Sequence, residues 1–209
     1  MFPGPAGPLE GLWKDAAGPP RGAAVFAHPH PLHGGTMHNK VVYRAAQALT
    51  RSGYSTLRFN FRGVGVSGGR HDGGAGEIVD FRAATDEAER EGGLPLVAGG
   101  FSFGSAMGLR AIVGDPRVIA FIGLGLPIAS EAGRSVPRPT VPALFVVGER
   151  DTFGPPADLA QFLGGESEMV VMPGADHFFQ GSLEAVGEAI SLFLARLAKA
   201  PESAGSAAS

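Results

Sequence analysis

Short apolar segments alternate with longer amphipathic segments along most of this chain. Apolar runs of β-forming residues are followed by stretches whose hydrophobic residues recur at helical spacing, as in Val41, Val42, Ala45 and Leu49. Predicted strands cover residues 23–28, 54–61, 94–100, 117–127, 141–149 and 167–174. Predicted helices cover residues 39–53, 77–93, 105–113, 156–164 and 182–199.

Strand–helix alternation with apolar strands predicts an α/β fold, in which a mostly parallel sheet carries helices on both faces. The length suits one domain, which we predict over residues 1–200. Residues 201–209 are small and polar and are predicted to form a disordered tail. Active sites of such sheets lie beyond the carboxyl ends of the strands, so the residues after each apolar run are the ones to inspect.

Composition narrows the function classes. A net charge of −3 and an isoelectric point near 6.1 favour neither nucleic acid nor an anionic membrane as a partner. There is no cysteine, so disulfides, thiolate metal sites and a cysteine nucleophile are excluded. The N-terminus lacks the features of a signal peptide, and the longest apolar run, 118–129, is too short to span a bilayer. We therefore expect a cytoplasmic protein that binds neither nucleic acid nor a membrane; an oligomeric state cannot be read from the sequence.

The segment "GFSFG" (100–104) matches the G-x-S-x-G motif of serine nucleophiles. Ser102 directly follows a predicted strand and opens a predicted helix, which is the strand–turn–helix elbow of that motif. A second match, "GVSGG" (65–69), lies in a glycine-rich loop that no helix immediately follows. We therefore assign the nucleophile to Ser102 and interpret Ser67 as a loop residue.

A serine needs a base and a carboxylate that orients the base. Asp151 and His177 follow two later predicted strands, and the order Ser102, Asp151, His177 is that of α/β-hydrolases. Glu149 is an alternative orienting residue if the loop register differs, whereas Asp176 is better suited to a turn.

Five motifs in order resemble one known group of proteins. They are "HPHPLHGGTMHNKVV", "LRFNFRGVGVSGG", "GGFSFGSAMG", "GERDTFGPP" and "GADHFF". Together, over about residues 22–198, they resemble the small lidless bacterial α/β-hydrolases of the dienelactone-hydrolase-like branch. The resemblance implies a serine hydrolase of the carboxylesterase type (EC 3.1.1) without a cofactor. Dienelactone hydrolases themselves use a cysteine nucleophile, which this chain lacks.

The segment "HPHPLHGGTMH" (28–38) raises the possibility of a metal site, because His28, His30 and His33 have the H-x-H-x-x-H spacing of zinc hydrolases. Leu32 stands where those enzymes place an aspartate, so we predict no metal. The loop after this strand supplies an oxyanion-hole amide in α/β-hydrolases, and the residue after the nucleophile supplies the other. Because prolines flank it, His30 is the predicted first donor, and Phe103 is the second.

Only residues 128–142 lie between "GLGLP" and "ALFVV", where related folds insert a cap domain, so we predict no cap and an open cleft. Phe101, Phe153 and Phe178 are predicted to line that cleft. The expected function is hydrolysis of carboxylic esters of small or medium size through an acyl-enzyme. Two alternatives are a metal-dependent hydrolase that uses the His28/His30/His33 cluster and a non-catalytic binding protein on a hydrolase scaffold.

Overall fold

The computed structural model describes residues 1–165 and 167–199, so the predicted tail lies outside the described residues. The strands are β1 (Gly11–Lys14), β2 (Gly22–Ala27), β3 (Tyr54–Phe59), β4 (Leu96–Phe101), β5 (Val118–Leu124), β6 (Ala143–Gly148) and β7 (Glu168–Met172). The helices are α1 (Lys40–Arg51), α2 (Ala75–Gly92), α3 (Phe103–Ala111), α4 (Pro156–Leu163) and α5 (Leu183–Leu197).

The strands form one seven-stranded sheet in the order β1-β3-β2-β4-β5-β6-β7. β1 pairs antiparallel with β3, and every other neighbouring pair is parallel. This confirms the predicted mostly parallel sheet. The connection from β5 to β6 contains only a short 3₁₀ turn, Glu131–Gly133, which confirms that no cap domain is inserted there.

Helices cover both faces of the sheet, and each face has its own hydrophobic cluster. α1 and α5 pack against one face, where they bury residues such as Val42 and Ile190. α2, α3 and α4 pack against the other face, where Phe81 and Leu159 are buried. Because β2, β4 and β6 are buried along their whole length, they read in the sequence as continuous apolar runs. Within the described ranges, no helix combines the length and the apolar character that crossing a membrane requires.

β1 is a strand that the sequence pattern did not indicate. It has four residues, lies at the edge of the sheet and alternates between half-buried and exposed positions. Such a segment carries little hydrophobic signal of its own. Its strand conformation depends on pairing with β3, where Trp13 lies opposite Leu57.

The parallel strands bring distant parts of the chain to one edge of the sheet. Loops that follow β2, β3, β4, β6 and β7 all begin at the carboxyl ends of these strands. β4 lies in the middle of the sheet, with β2, β3 and β1 on one side and β5, β6 and β7 on the other. The residue that follows β4 is therefore within reach of loops from both halves of the sheet.

Candidate active site

Ser102 occupies the sharp turn between the end of β4 and the start of α3. Its backbone has φ 54° and ψ −120°, a conformation that residues other than glycine rarely adopt. Such backbone strain costs about 1–3 kcal/mol and persists only where the surrounding structure enforces it. The local geometry is therefore that of a strand–turn–helix elbow, and the role of Ser102 as a nucleophile stays a prediction.

The two motif glycines are required by close approaches of the backbone. A Cβ atom at Gly100 would lie 2.4 Å from the carbonyl carbon of Gly104. One at Gly104 would lie 2.5 Å from the carbonyl oxygen of His28, at the end of the neighbouring strand. Neither distance is possible for non-bonded atoms, so both positions must remain without a side chain.

A continuous hydrogen-bond chain joins Ser102, His177 and Asp151. The Ser102 Oγ lies 2.9 Å from Nε2 of His177, and Nδ1 of His177 lies 2.7 Å from Oδ2 of Asp151. The other oxygen of Asp151, Oδ1, accepts hydrogen bonds from the backbone N–H groups of Phe153 (2.9 Å) and Gly154 (3.1 Å). With Asp151 ionised, Nδ1 of His177 is the protonated nitrogen, and Nε2 is free to accept the Ser102 proton.

The side chains of Asp151 and His177 are buried, with 3% and 6% of their residue surfaces exposed. Aromatic rings surround the imidazole of His177. The ring centroids of Phe153, Phe101 and Phe178 lie 4.7, 5.2 and 5.3 Å from that of His177. This packing fixes the orientation of the ring toward Ser102.

The prediction that Phe101 lines the substrate cleft is wrong. Phe101 is completely buried, because its side chain points to the same side of the sheet as Val97, toward α1 and α5. Its ring packs against the imidazole of His177. Phe153 is 47% exposed and lines the cavity beside Ser102. Phe178 is also exposed, but it does not belong to the residues that line this cavity.

The competing residues have structural roles. Glu149 accepts a hydrogen bond from the backbone N–H of Gly174 at 2.7 Å, so the alternative that it orients His177 is not supported. Asp176 accepts from the N–H of Phe178 in a local turn. Ser67 is buried, donates to the carbonyl oxygen of Asn60 and accepts from a backbone N–H.

His30 and Phe103, the predicted oxyanion donors, both line the cavity beside Ser102. Phe103 is the first residue of α3, where a backbone N–H has no acceptor within the helix. His30 immediately precedes the 3₁₀ turn Pro31–His33. Within residues 1–165 and 167–199, neither amide donates a hydrogen bond to a protein acceptor. Their role as an oxyanion hole stays a prediction.

His28 is separated from the other histidines by its burial. Its Nδ1 lies 2.6 Å from the Pro29 carbonyl oxygen, and its Nε2 accepts from the backbone N–H of Phe61 at 3.1 Å. Burial lowers the pKa of His28 to about 4. Because backbone groups engage both ring nitrogens, His28 cannot join His30 and His33 around a metal. In the described part of the chain, no group of three or more potential ligands is arranged to hold a metal ion.

The cavity beside Ser102 has a volume of about 480 Å³. Its walls include His30, His33, His71, Phe153, Ser130 and Glu131. Sequence reasoning did not assign the last two or His71 to the site. His71 lies in the loop after β3, so its position at the carboxyl edge of the sheet was the available signal.

Arg62 holds the loop after β3 in place. Its guanidinium pairs with the buried carboxylate of Asp80 at 2.8 Å and with Asp72 at 3.2 Å. The hydrogen bonds to Asp80 raise the pKa of Arg62. Arg62 therefore connects the glycine-rich loop to α2 and lies outside the residues that line the cavity.

Comparison with known proteins places this arrangement in a family. A family model described as an alpha/beta hydrolase domain matches residues 20–200. An uncharacterized protein of Rickettsia prowazekii (strain Madrid E) is 34% identical over 210 residues, which cover 92% of this chain and 87% of that protein.

Two solved structures are similar over nearly the whole chain. An alpha-beta serine hydrolase homologue from Coxiella burnetii is 37% identical with a TM-score of 0.85, covering 91% of this chain and 94% of that one. A serine hydrolase without a lid from Xanthomonas campestris is 32% identical with a TM-score of 0.86, covering 93% of this chain and 92% of that one. The chain belongs to the alpha/beta hydrolase family, as a member without a lid.

Proposed function

We propose that this protein is a serine hydrolase that cleaves carboxylic ester bonds of small or medium substrates through an acyl-enzyme. The observation that carries the proposal is the hydrogen-bond chain from Ser102 through His177 to Asp151, at the edge of a cavity. A serine hydroxyl is a weak nucleophile, and this arrangement supplies both the base that takes its proton and the carboxylate that holds the base.

In the first half of the reaction, Oγ of Ser102 attacks the carbonyl carbon while its proton moves to Nε2 of His177. The resulting oxyanion accepts hydrogen bonds from the backbone N–H groups of His30 and Phe103. Loss of one such donor costs about 3–4 kcal/mol of transition-state stabilisation. The bond to the leaving oxygen then breaks, and His177 gives its proton to the departing alcohol.

In the second half, water attacks the acyl-enzyme carbonyl and gives a proton to His177. The bond to Oγ breaks, the carboxylic acid leaves, and the proton returns to Ser102. Asp151 remains ionised throughout, because its role is to hold the protonated Nδ1 of His177 and to stabilise the imidazolium.

The experiment that tests this proposal is labelling with a fluorophosphonate, which reacts covalently with an activated serine. We expect wild-type protein to be labelled and Ser102→Ala to be unlabelled. Ser130→Ala removes another serine of the same cavity and serves as the matched control, which should retain the label. A folded wild type that resists labelling would overturn the proposal and favour the alternative of a binding protein on this scaffold.

Nitrophenyl esters of increasing acyl length then measure the activity itself. The open cavity of about 480 Å³ favours short and medium chains over long ones. Hydrolysis that survives Ser102→Ala but is lost with a chelator would instead support the metal-dependent alternative.

A further inference from the structure

Three imidazoles line one side of the cavity. The ring of His30 stacks on that of His33 with centroids 4.5 Å apart, and the centroid of His71 lies 5.0 Å from that of His30. His30 and His71 follow β2 and β3, whereas Asp151 and His177 follow β6 and β7 on the other side of Ser102. The imidazole side of the cavity therefore lies across Ser102 from the triad histidine.

A buried carboxylate holds His71. Glu77 has no exposed surface, and its Oε1 lies 2.8 Å from Nδ1 of His71. The same carboxylate accepts from the backbone N–H groups of Gly74 (2.8 Å) and Asp72 (3.3 Å). Because an ionised carboxylate only accepts, the proton of the neutral His71 ring is on Nδ1. Nε2 of His71 is then a hydrogen-bond acceptor.

His30 has the opposite tautomer. Its Nδ1 accepts a hydrogen bond from the backbone N–H of Leu32 at 3.2 Å, so its neutral ring carries the proton on Nε2. Burial lowers the pKa of His30, and the neighbouring His33 and His71 lower it further, which favours this neutral form. The cavity thus has an imidazole donor and an imidazole acceptor side by side.

A hydroxyl group is the chemical group that matches this pair, because its oxygen accepts from one ring while its proton is donated to the other. His30 and His71 both line the cavity with their ring centroids 5.0 Å apart, so the two imidazoles are neighbours in the cavity wall. A carboxylate matches less well, because it cannot donate to Nε2 of His71, and Glu131 brings another negative charge to the same cavity.

We propose that His71 and His30 determine substrate specificity by binding a hydroxyl group on the acyl part of the ester. The leaving oxygen must take its proton from His177, so the alcohol lies on the triad side and the acyl group extends toward the imidazoles. The inference rests on the proposed serine-hydrolase function. It narrows the substrates to esters of short hydroxy acids.

The test compares nitrophenyl esters of butanoic, 2-hydroxybutanoic and 3-hydroxybutanoic acid at pH 8, with each kcat/KM divided by the ester's rate of alkaline hydrolysis. We expect wild-type protein to prefer at least one hydroxyacyl ester over the butanoyl ester by roughly tenfold, the effect of one or two neutral hydrogen bonds. His71→Phe keeps the ring size but removes the acceptor, and it should reduce this ratio to about one to three.

Using a ratio cancels any general loss of activity in a variant. His71→Gln retains a polar group near the position of Nε2 and should keep part of the preference. His38→Phe is the matched control, because His38 is exposed and lies outside this cavity, and it should leave the ratio unchanged. A wild-type ratio near one, or a ratio that His71→Phe does not change, would overturn the inference.

The failure of this inference can be told from the failure of the proposed function. If all three esters are hydrolysed equally and Ser102→Ala abolishes the reaction, only the hydroxyl preference is wrong. If none is hydrolysed and Ser102 resists the fluorophosphonate, both proposals fall. Imidazole ¹⁵N NMR gives a readout without substrate: we expect the Nδ1–H tautomer for His71 and the Nε2–H tautomer for His30. The opposite assignment for either ring would also overturn the inference.

Discussion

Asp151→Asn is the substitution for which the structure gives the sharpest expected outcome. The new side chain has the same shape, but one of its two polar atoms becomes an NH₂ group. At the position of Oδ1, that group would face the two N–H donors of Phe153 and Gly154, whereas at Oδ2 it would face only His177. The amide oxygen therefore occupies the Oδ1 position, and the NH₂ group points at His177.

This orientation reverses the tautomer of His177. If the NH₂ group occupied the Oδ1 position, the N–H groups of Phe153 and Gly154 would have no acceptor, which costs about 1–3 kcal/mol of stability for each. Donation from NH₂ to Nδ1 costs less, but it moves the imidazole proton to Nε2, which then cannot accept the proton of Ser102. We expect kcat to fall about 10⁴-fold, the magnitude typical of losing the correct histidine tautomer in a triad, while the fold is retained.

The assay measures kcat on a short-chain nitrophenyl ester, together with the melting temperature of each variant. Asp176→Asn is the matched control: this carboxylate adjoins His177 in sequence but accepts from the N–H of Phe178, and its loss should change kcat less than threefold. If Asp151→Asn remained folded and within tenfold of wild type, Asp151 would not be the orienting residue and the assignment of the triad would be refuted.

Three further predictions concern stability. Gly104→Ala forces a Cβ atom to within 2.5 Å of the His28 carbonyl oxygen and should destabilise the fold by about 1–3 kcal/mol, measured by urea denaturation. A variant as stable as the wild type would show that this close approach can be relieved without cost. Ser67→Ala removes hydrogen bonds to Glu10 and Asn60 and should lower stability by about 1–3 kcal/mol while fluorophosphonate labelling persists; loss of the label in folded protein would contradict the structural role. With its pKa at about 4, His28 binds fewer protons in the folded than in the unfolded state between pH 4 and 6.5, so stability is lost as the pH falls through this window, by about 3 kcal/mol in total. His28→Gln should flatten that part of the denaturation profile, and an unchanged slope would argue against the assignment.

Residues that could be placed from sequence are those whose position follows from the parallel sheet. Ser102, Asp151 and His177 each come directly after an apolar run, and parallel strands bring such positions to one edge. The position of a residue that directly follows an apolar strand can therefore be predicted without knowledge of long-range contacts. The hydrogen bonds among these three side chains depend on loop conformation, which only the structure provides.

The errors have physical reasons as well. Phe101 does not line the cleft because residues alternate between the two faces of a strand, and Phe101 shares the face of Val97. That parity was available in the sequence. β1 and the pairing of His71 with Glu77 were not, because both depend on partners that only the folded chain brings together.

The absence of a cap over the described β5–β6 connection changes where specificity can arise. Among residues 1–165 and 167–199, the loops at the sheet edge are then the parts of the chain that can contact a substrate. In the proposed mechanism, the loops after β6 and β7 hold Asp151 and His177 in the geometry that proton transfer requires, so they cannot vary with the substrate. The freedom to select an acyl group therefore belongs to the loops after β2, β3 and β5.

In this chain the first two of these loops present His30, His33 and His71 to the cavity, and a salt-bridged arginine and a buried glutamate fix the loop after β3. A rigid polar wall of this kind favours a substrate with a matching polar group over an alkyl chain, since burying unpaired imidazole nitrogens against an alkyl chain would be unfavourable.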